Sequence, residues 1–187
     1  SLRRLTRAVH SLTTAELQSV KTHKQFLSVL ADKRNPERVL RLMNELGWLV
    51  KYLPDFGHIV GMMQFDMYHS YTVDEHIIKA VGNINDIEQG VLEDTAPVAT
   101  RLVHELNSRQ ALLVAVLFHD MAKGRGGGHS GLGAEIAEKL CPLLGLNEET
   151  TETVGWLIRH HLLMSKTAFR YDLNDPQTIS DFAAVVQ

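Results

Sequence analysis

The chain has 187 residues, 44% of them hydrophobic and 22% charged, with a formal net charge of −3. That balance gives no electrostatic footing for nucleic acid or an anionic membrane surface, and the apolar runs are too short to span a bilayer. A single cysteine, Cys141, excludes an internal disulfide framework and points to a reducing, cytoplasmic compartment. The length suits one domain, with a helical extension at most. An opening at Ser1 without methionine, and a stop inside the helix-like run from Asp181 to Gln187, are expected of a piece of a longer protein.

Residues 1–12 carry basic side chains in little regular pattern and read as a linker or the end of an upstream segment. Thr13 to Glu16 form a capping box, which opens a helix predicted to reach about Leu30. Asn35 and Pro36 supply an N-cap and a first-turn proline. The helix they begin carries Val39, Leu40, Leu42, Met43 and Leu46 at helical spacing and stops at Gly47. A less regular apolar stretch follows, from Trp48 to Met63. Thr72 to Glu75 make a second capping box, with His76 in the first turn of a helix that Gly90 ends. Residues 91–107 predict another helix with Leu102, Val103 and Leu106 inward, and Ser108 can cap the next. The glycine-rich stretch from Gly124 to Gly128 must be a loop, after which His129 opens a helix to Leu144. Asn147 caps a further helix, which finishes at His160 and His161, and Asp175 with Pro176 starts the last one. No strand pattern occurs. The expectation is an all-α fold of roughly eight helices, with a helical extension or interdomain connector over residues 1–50 and the main domain over residues 51–187.

The run from Ala111 to Phe118 is apolar on every side, as in a helix buried at a domain centre. It ends in His119, Asp120 and, one turn beyond the histidine, Lys123. Ionisable groups at the tip of a buried helix are costly without a partner, and a divalent cation is the partner that accounts for His119 and Asp120. Lys123 lies four residues past His119, on its helical face. It is either an anion-binding group beside the cation or a solvated charge favoured by the helix C-terminus. Among the histidines, His10, His23, His58, His69 and His104 have no evident colleague and read as surface or satisfied core residues. His76, His119, His129 and the pair His160 and His161 fall at helix ends, which can converge on one point. Imidazoles and a carboxylate, with water in the remaining positions, are a catalytic donor set for a divalent ion.

A histidine followed by a later His-Asp pair on an apolar helix resembles the HD family of metal-dependent phosphohydrolases, and the added His129, His160 and His161 resemble its two-metal members. The segments Met63–His76, Phe118–Ser130 and Arg159–Ser165 are similar to the bacterial bifunctional uridylyltransferase/uridylyl-removing enzymes, and the similarity runs from about Phe26 onward. The resemblance implies an HD-domain helical bundle that hydrolyses UMP from a tyrosine of the PII nitrogen-regulatory protein, flanked by a nucleotidyltransferase domain and ACT domains. It implies His76, His119 and Asp120 on a first ion, and His129, His160 and His161 holding or assisting a second, with Asp120 able to bridge. Manganese or magnesium is the expected metal, iron and zinc being compatible with the donors. Catalysis falls to Asp120 and to Lys123, the latter as a phosphate neutraliser. Phenol is an undemanding leaving group, with a pKa of about 10. Arg125 either reaches the uridylyl group or partner protein, or is a mobile surface residue.

Two departures from the family pattern stand out. Gly128 replaces the usual aspartate before the histidine, and the distal aspartate ligand is expected later than Gln187. Asp172 and Asp175 have simple turn and capping roles, which leaves Asp181 as the helical candidate and makes partial metal binding the expectation. The competing readings are an HD phosphohydrolase enclosing a free nucleotide or second messenger, and a non-catalytic helical regulatory module. The position of His76 relative to His119 and Asp120 discriminates between a shared pocket and scattered histidines.

Overall fold

The computed structural model describes residues 2–63 and 71–186; residues 64–70 of the first motif segment, His69 among them, lie outside the described residues. The described residues form helices joined by turns, with Met63 and Thr72 making a single antiparallel bridge. The chain is all-α.

Helix α1 (Leu2–Ser11) is basic and has no buried residue. Its end is closed by Lys51, whose Nζ donates to the carbonyls of Val9, His10 and Leu12 at 2.9, 2.7 and 2.7 Å. The Thr13 capping box forms and starts α2 (Thr14–Leu17), but Ser19 caps a fresh helix, α3 (Val20–Leu30). The single helix expected over residues 13–30 is therefore two. Next come α4 (Pro36–Glu45), capped by Asn35, and α5 (Trp48–Tyr52), entered through Gly47 in the left-handed conformation. A 3-10 turn over Pro54–His58 follows.

Helix α6 (Val73–Glu88) begins at Thr72, yet the Thr72 side chain makes no capping bond. Glu75, the would-be second member of that box, pairs instead with Arg41. Helix α7 (Pro97–Leu102) is also shorter than expected. Gly90 and Pro97 leave the residues between them as turns, a 3-10 turn over Val103–Glu105 follows, and Leu102 and Leu106 are 44% and 45% exposed rather than inward. The remaining helices are α8 (Arg109–Phe118), α9 (His129–Leu143), α10 (Glu148–His160), α11 (Leu163–Arg170) and α12 (Pro176–Val186). The helical segments are more numerous and shorter than the expected eight.

Helix α8 is the axle of the fold. Ser108 caps it through the Ala111 amide, and Ala111, Leu113, Val114, Ala115, Leu117 and Phe118 are all buried. Ile77, Ile78 and Val81 of α6 pack in the same core, as do Ala134 and Ala137 of α9 and Val154 and Ile158 of α10. Phe26, Leu30, Leu40 and Leu49 from α3 to α5 belong to that core as well. Arg109 ties the start of α8 to Glu88 of α6, at 2.6 Å from Nη2, and to the Ala31 carbonyl beyond α3, at 2.9 Å. No described helix is long and apolar enough to cross a membrane.

Candidate metal centre

The polar groups that close α8 meet three other helix ends. His119 is the C-cap of α8, His129 is the first residue of α9, and His161 is the C-cap of α10. His76 lies in the first turn of α6, whose start is held by the buried Asp74 carboxylate. That carboxylate accepts from Asn44 Nδ2 at 2.8 Å and from the Gly61 amide at 3.1 Å. The imidazoles form a chain of ring contacts: His76 to His119 at 5.4 Å, His119 to His161 at 5.1 Å, and His161 to His129 at 5.6 Å.

Asp120 lies among them with a side chain only 3% exposed. Its Oδ2 faces Nε2 of His119 at 3.1 Å and of His76 at 3.7 Å. Its Oδ1 faces Nε2 of His129 at 3.7 Å and of His161 at 3.9 Å. Two donor sets result, His76–His119–Asp120 and Asp120–His129–His161, each with its ligand atoms within 4.8 Å of one another. His119 and His161 are oriented from behind. Their Nδ1 atoms lie 2.7 Å from the carbonyls of Val116 and Ile158. A carbonyl only accepts, so Nδ1 carries the proton and Nε2 is the atom turned to the centre.

The donors fit a cation. Asp120 Oδ1 and His129 Nε2 are both buried and have no hydrogen-bond partner, although they face each other. Buried polar atoms left so are rare and costly unless something else engages them. Burial alone would raise the Asp120 carboxyl, but the hydrogen bond and charge of His119, then those of Lys123, outweigh it and hold it well below the usual carboxylate range. Burial lowers His161 and His129, against the pull of Asp120, and so favours the neutral imidazole that a metal needs.

Lys123 reaches the site by another route than helical periodicity. The helix ends at Phe118, residues 119–124 turn, and Lys123 Nζ meets Asp120 Oδ2 at 2.7 Å. His160 joins neither donor set; its ring packs on Trp156 at 4.9 Å between centroids. Arg125 is not a loose surface residue, because it donates to Asp55 Oδ1 at 2.6 Å and so fastens the glycine loop to the 3-10 turn before α6. Asp172 and Asp175 accept from the Asn174 and Gln177 amides as turn and cap residues. Asp181 is exposed on α12 and accepts from Gln177 Nε2 at 2.6 Å; it joins neither donor set. His10, His58 and His104 are exposed, while His23 shares a hydrogen bond with the Tyr52 hydroxyl at 2.7 Å.

Sequence reasoning missed the Asn44–Asp74 pair behind His76. A 30-residue separation leaves no local signal for it. It did carry a signal for choosing between His160 and His161. Thr151, Val154 and Ile158 form the buried stripe of α10, and one further helical step along it reaches His161.

The HD domain family model matches residues 92–187, which take in His119, Asp120, His129 and His161. The chain belongs to the HD-domain family. His76 precedes the matched segment, so its place in the centre rests on the geometry above. Across its whole length the chain is 51% identical to the bifunctional uridylyltransferase/uridylyl-removing enzyme of Azospirillum brasilense, covering 20% of that protein. It is 53% identical over 167 residues to the enzyme of the same name from Rhodospirillum rubrum, and 56% identical over 162 residues to that of Novosphingobium aromaticivorans, covering 18% of each. The chain thus spans about a fifth of the length of the curated relatives it matches.

Proposed function

We propose that this HD domain is a metal-dependent phosphodiesterase that removes UMP from a uridylylated tyrosine of the PII protein, as one part of a bifunctional uridylyltransferase/uridylyl-removing enzyme. The observation that carries the reading is the placement of Asp120, whose two oxygens are each turned to a different pair of imidazoles. That arrangement suits a carboxylate shared by two cations. His76, His119 and Asp120 would hold one, and Asp120, His129 and His161 the other, with manganese or magnesium the leading candidates. Bound there, divalent ions supply Lewis acidity toward a phosphoryl group and acidify water.

The chain's own residues do the rest. The Val116 and Ile158 carbonyls aim His119 and His161, and Asn44 with the Gly61 amide fixes the helix turn that carries His76. Lys123, beside Asp120, is placed to neutralise charge on non-bridging phosphate oxygens. A water oxygen bonds to phosphorus and gives up a proton, the bond from phosphorus to the tyrosyl oxygen breaks, and the phenol oxygen leaves with the electron pair and takes up a proton. A phenol pKa of about 10 makes a strong general acid unnecessary. The side chains of His76 and His129 are 32% and 30% exposed, an open mouth that suits a residue presented on a protein surface rather than an enclosed free nucleotide.

The test is release of UMP from uridylylated PII by the full-length protein that carries this domain, with Mn²⁺, and by its His119→Ala and Asp120→Ala variants. Loss of release in both variants, with helical content retained, is expected. Undiminished release in either overturns the assignment of the centre.

A further inference from the structure

An apolar groove opens directly off the imidazole cluster. His76, His119 and His161 form one end of it, and its walls are Ala80 of α6, Leu112, Ala115 and Val116 of α8, and Leu157 of α10. Its volume is about 350 Å³. Leu112 and Leu157 also line a second cleft, of about 490 Å³, so the two adjoin. The second cleft lies toward the N-terminal ends of α8 and α10, where Asn107, Ser108, Glu149, Thr150 and Thr153 add polar groups to a partly apolar wall. The α8–α10 seam is therefore lined by apolar side chains beside the metal donors and by a more polar set farther off.

We infer that the apolar part is the leaving-group subsite, occupied by the aromatic ring of the tyrosine, and that the polar part takes the polypeptide flanking it. This rests on the hydrolytic reading above. Two portions of a uridylylated tyrosine could adjoin the phosphate, a pyrimidine nucleoside and a phenyl ring, and the lining distinguishes them. Ala80, Leu112, Ala115, Val116 and Leu157 present no side-chain donor or acceptor, and the backbone groups of these turns are engaged within their helices. A uracil edge placed against such walls would lose its hydrogen bonds to water and gain none. A phenyl ring loses nothing of the kind, and its one polar atom is the oxygen joined to phosphorus, which points back to the metal donors. A pocket that is mostly apolar, with its polar groups confined to one end, is the usual form of a ring-binding site. A tyrosine within a polypeptide also needs an exit for the chain on both sides. The adjoining cleft past Leu112 and Leu157, with hydroxyl and amide groups to meet backbone, provides one.

The test compares binding of phenyl phosphate, methyl phosphate and uridine 5′-monophosphate to the Mg²⁺-loaded chain by calorimetry, in wild type and in two variants. Ala80→Leu narrows the groove from its partly exposed wall, and Val116→Thr places a hydroxyl in it at nearly constant shape. Phenyl phosphate is expected to bind wild type at least about tenfold more tightly than methyl phosphate, the scale for burying one apolar ring. Ala80→Leu should abolish that advantage with Mg²⁺ affinity and the binding of uridine 5′-monophosphate unchanged, and Val116→Thr should reduce it. Equal binding of phenyl and methyl phosphate overturns the inference. So does loss of uridine 5′-monophosphate binding in Ala80→Leu, which would put the nucleoside in the groove. A phenyl preference that these variants remove, with no release of UMP from uridylylated PII by the full-length protein that carries this domain with Mn²⁺, overturns the hydrolytic reading and leaves the ring-binding groove standing.

Discussion

Replacing Asp120 with asparagine separates the two things its carboxylate does. The substitution keeps shape and one hydrogen-bond acceptor but removes the charge that faces four imidazoles and Lys123. In the metal-free protein two effects oppose each other. Lys123, with a side chain 18% exposed, loses the carboxylate charge at Asp120, while the chain no longer buries that carboxylate. An acceptor remains for Lys123, so a net loss of about 1–2 kcal/mol is expected, nearer the cost of a weakened hydrogen bond than that of a bare buried charge. The metal-dependent part is different, because both donor sets contain Asp120. A cation present at a hundred times its dissociation constant adds about 2.7 kcal/mol to wild-type stability. For a chain of this size that corresponds to about 5–11 °C in melting temperature. Thermal unfolding followed by circular dichroism, with and without Mn²⁺, should show a shift of that order in wild type and almost none in Asp120→Asn. A variant that melts within a few degrees of metal-free wild type, yet keeps the whole Mn²⁺ shift, would refute the shared-carboxylate centre.

Two glycines in neighbouring helices should respond to alanine with opposite signs. At Gly155 a new Cβ meets the flexible Glu138 side chain, its nearest atom 3.3 Å away, so the helix-propensity gain of about 0.5–1 kcal/mol should survive. At Gly133 it meets Ile158 Cγ2 at 3.2 Å, a β-branched and fully buried neighbour, so overpacking of about 1–3 kcal/mol should cancel or exceed the same gain. Urea midpoints of the two variants check the contrast, and stabilisation by Gly133→Ala would show that the α9–α10 contact is looser than described. Burial pushes the Cys141 thiol up to about 12, so it should resist Ellman's reagent in the native state and react on unfolding. Stoichiometric reaction within seconds under native conditions would contradict its packing. Burial also lowers His129 and His161 below their ordinary value of about 6.5. The unfolded chain then takes up protons first, so their contribution is complete above that pH and is lost as pH falls toward the folded-state values. Metal-free urea midpoints should decline from pH 7.5 to 5.5, less steeply in His161→Gln; a rise on acidification would reverse the sign.

What could be read from the sequence divides along physical lines. Caps made by neighbouring residues are local, and those at Thr13, Asn35, Ser108 and Asn147 form as their side chains dictate. At Thr72 the box does not form, and Glu75 pairs with Arg41, 34 positions away, a partner that no local rule contains. Helix α8 was legible because a run without a polar face has one place to go, the core, and the groups that end it must then be satisfied there. The other helix ends could be seen to carry histidines, but their convergence depends on α6, α9 and α10 packing on α8, which no short motif encodes.

The same packing separates the adjacent His160 and His161. Successive residues on a helix point about 100° apart, so only one of the pair can follow the stripe that α10 buries. Val154 and Ile158 fix that stripe, which leaves His161 inward and His160 against Trp156. Sequence similarity to a motif weights the two equally, whereas the periodicity of the apolar residues before them does not. Metal affinity should therefore fall sharply in His161→Ala and hardly at all in His160→Ala. Calorimetric titration of the two variants with Mn²⁺ distinguishes them, and equal losses would mean that α10 turns both imidazoles to the centre.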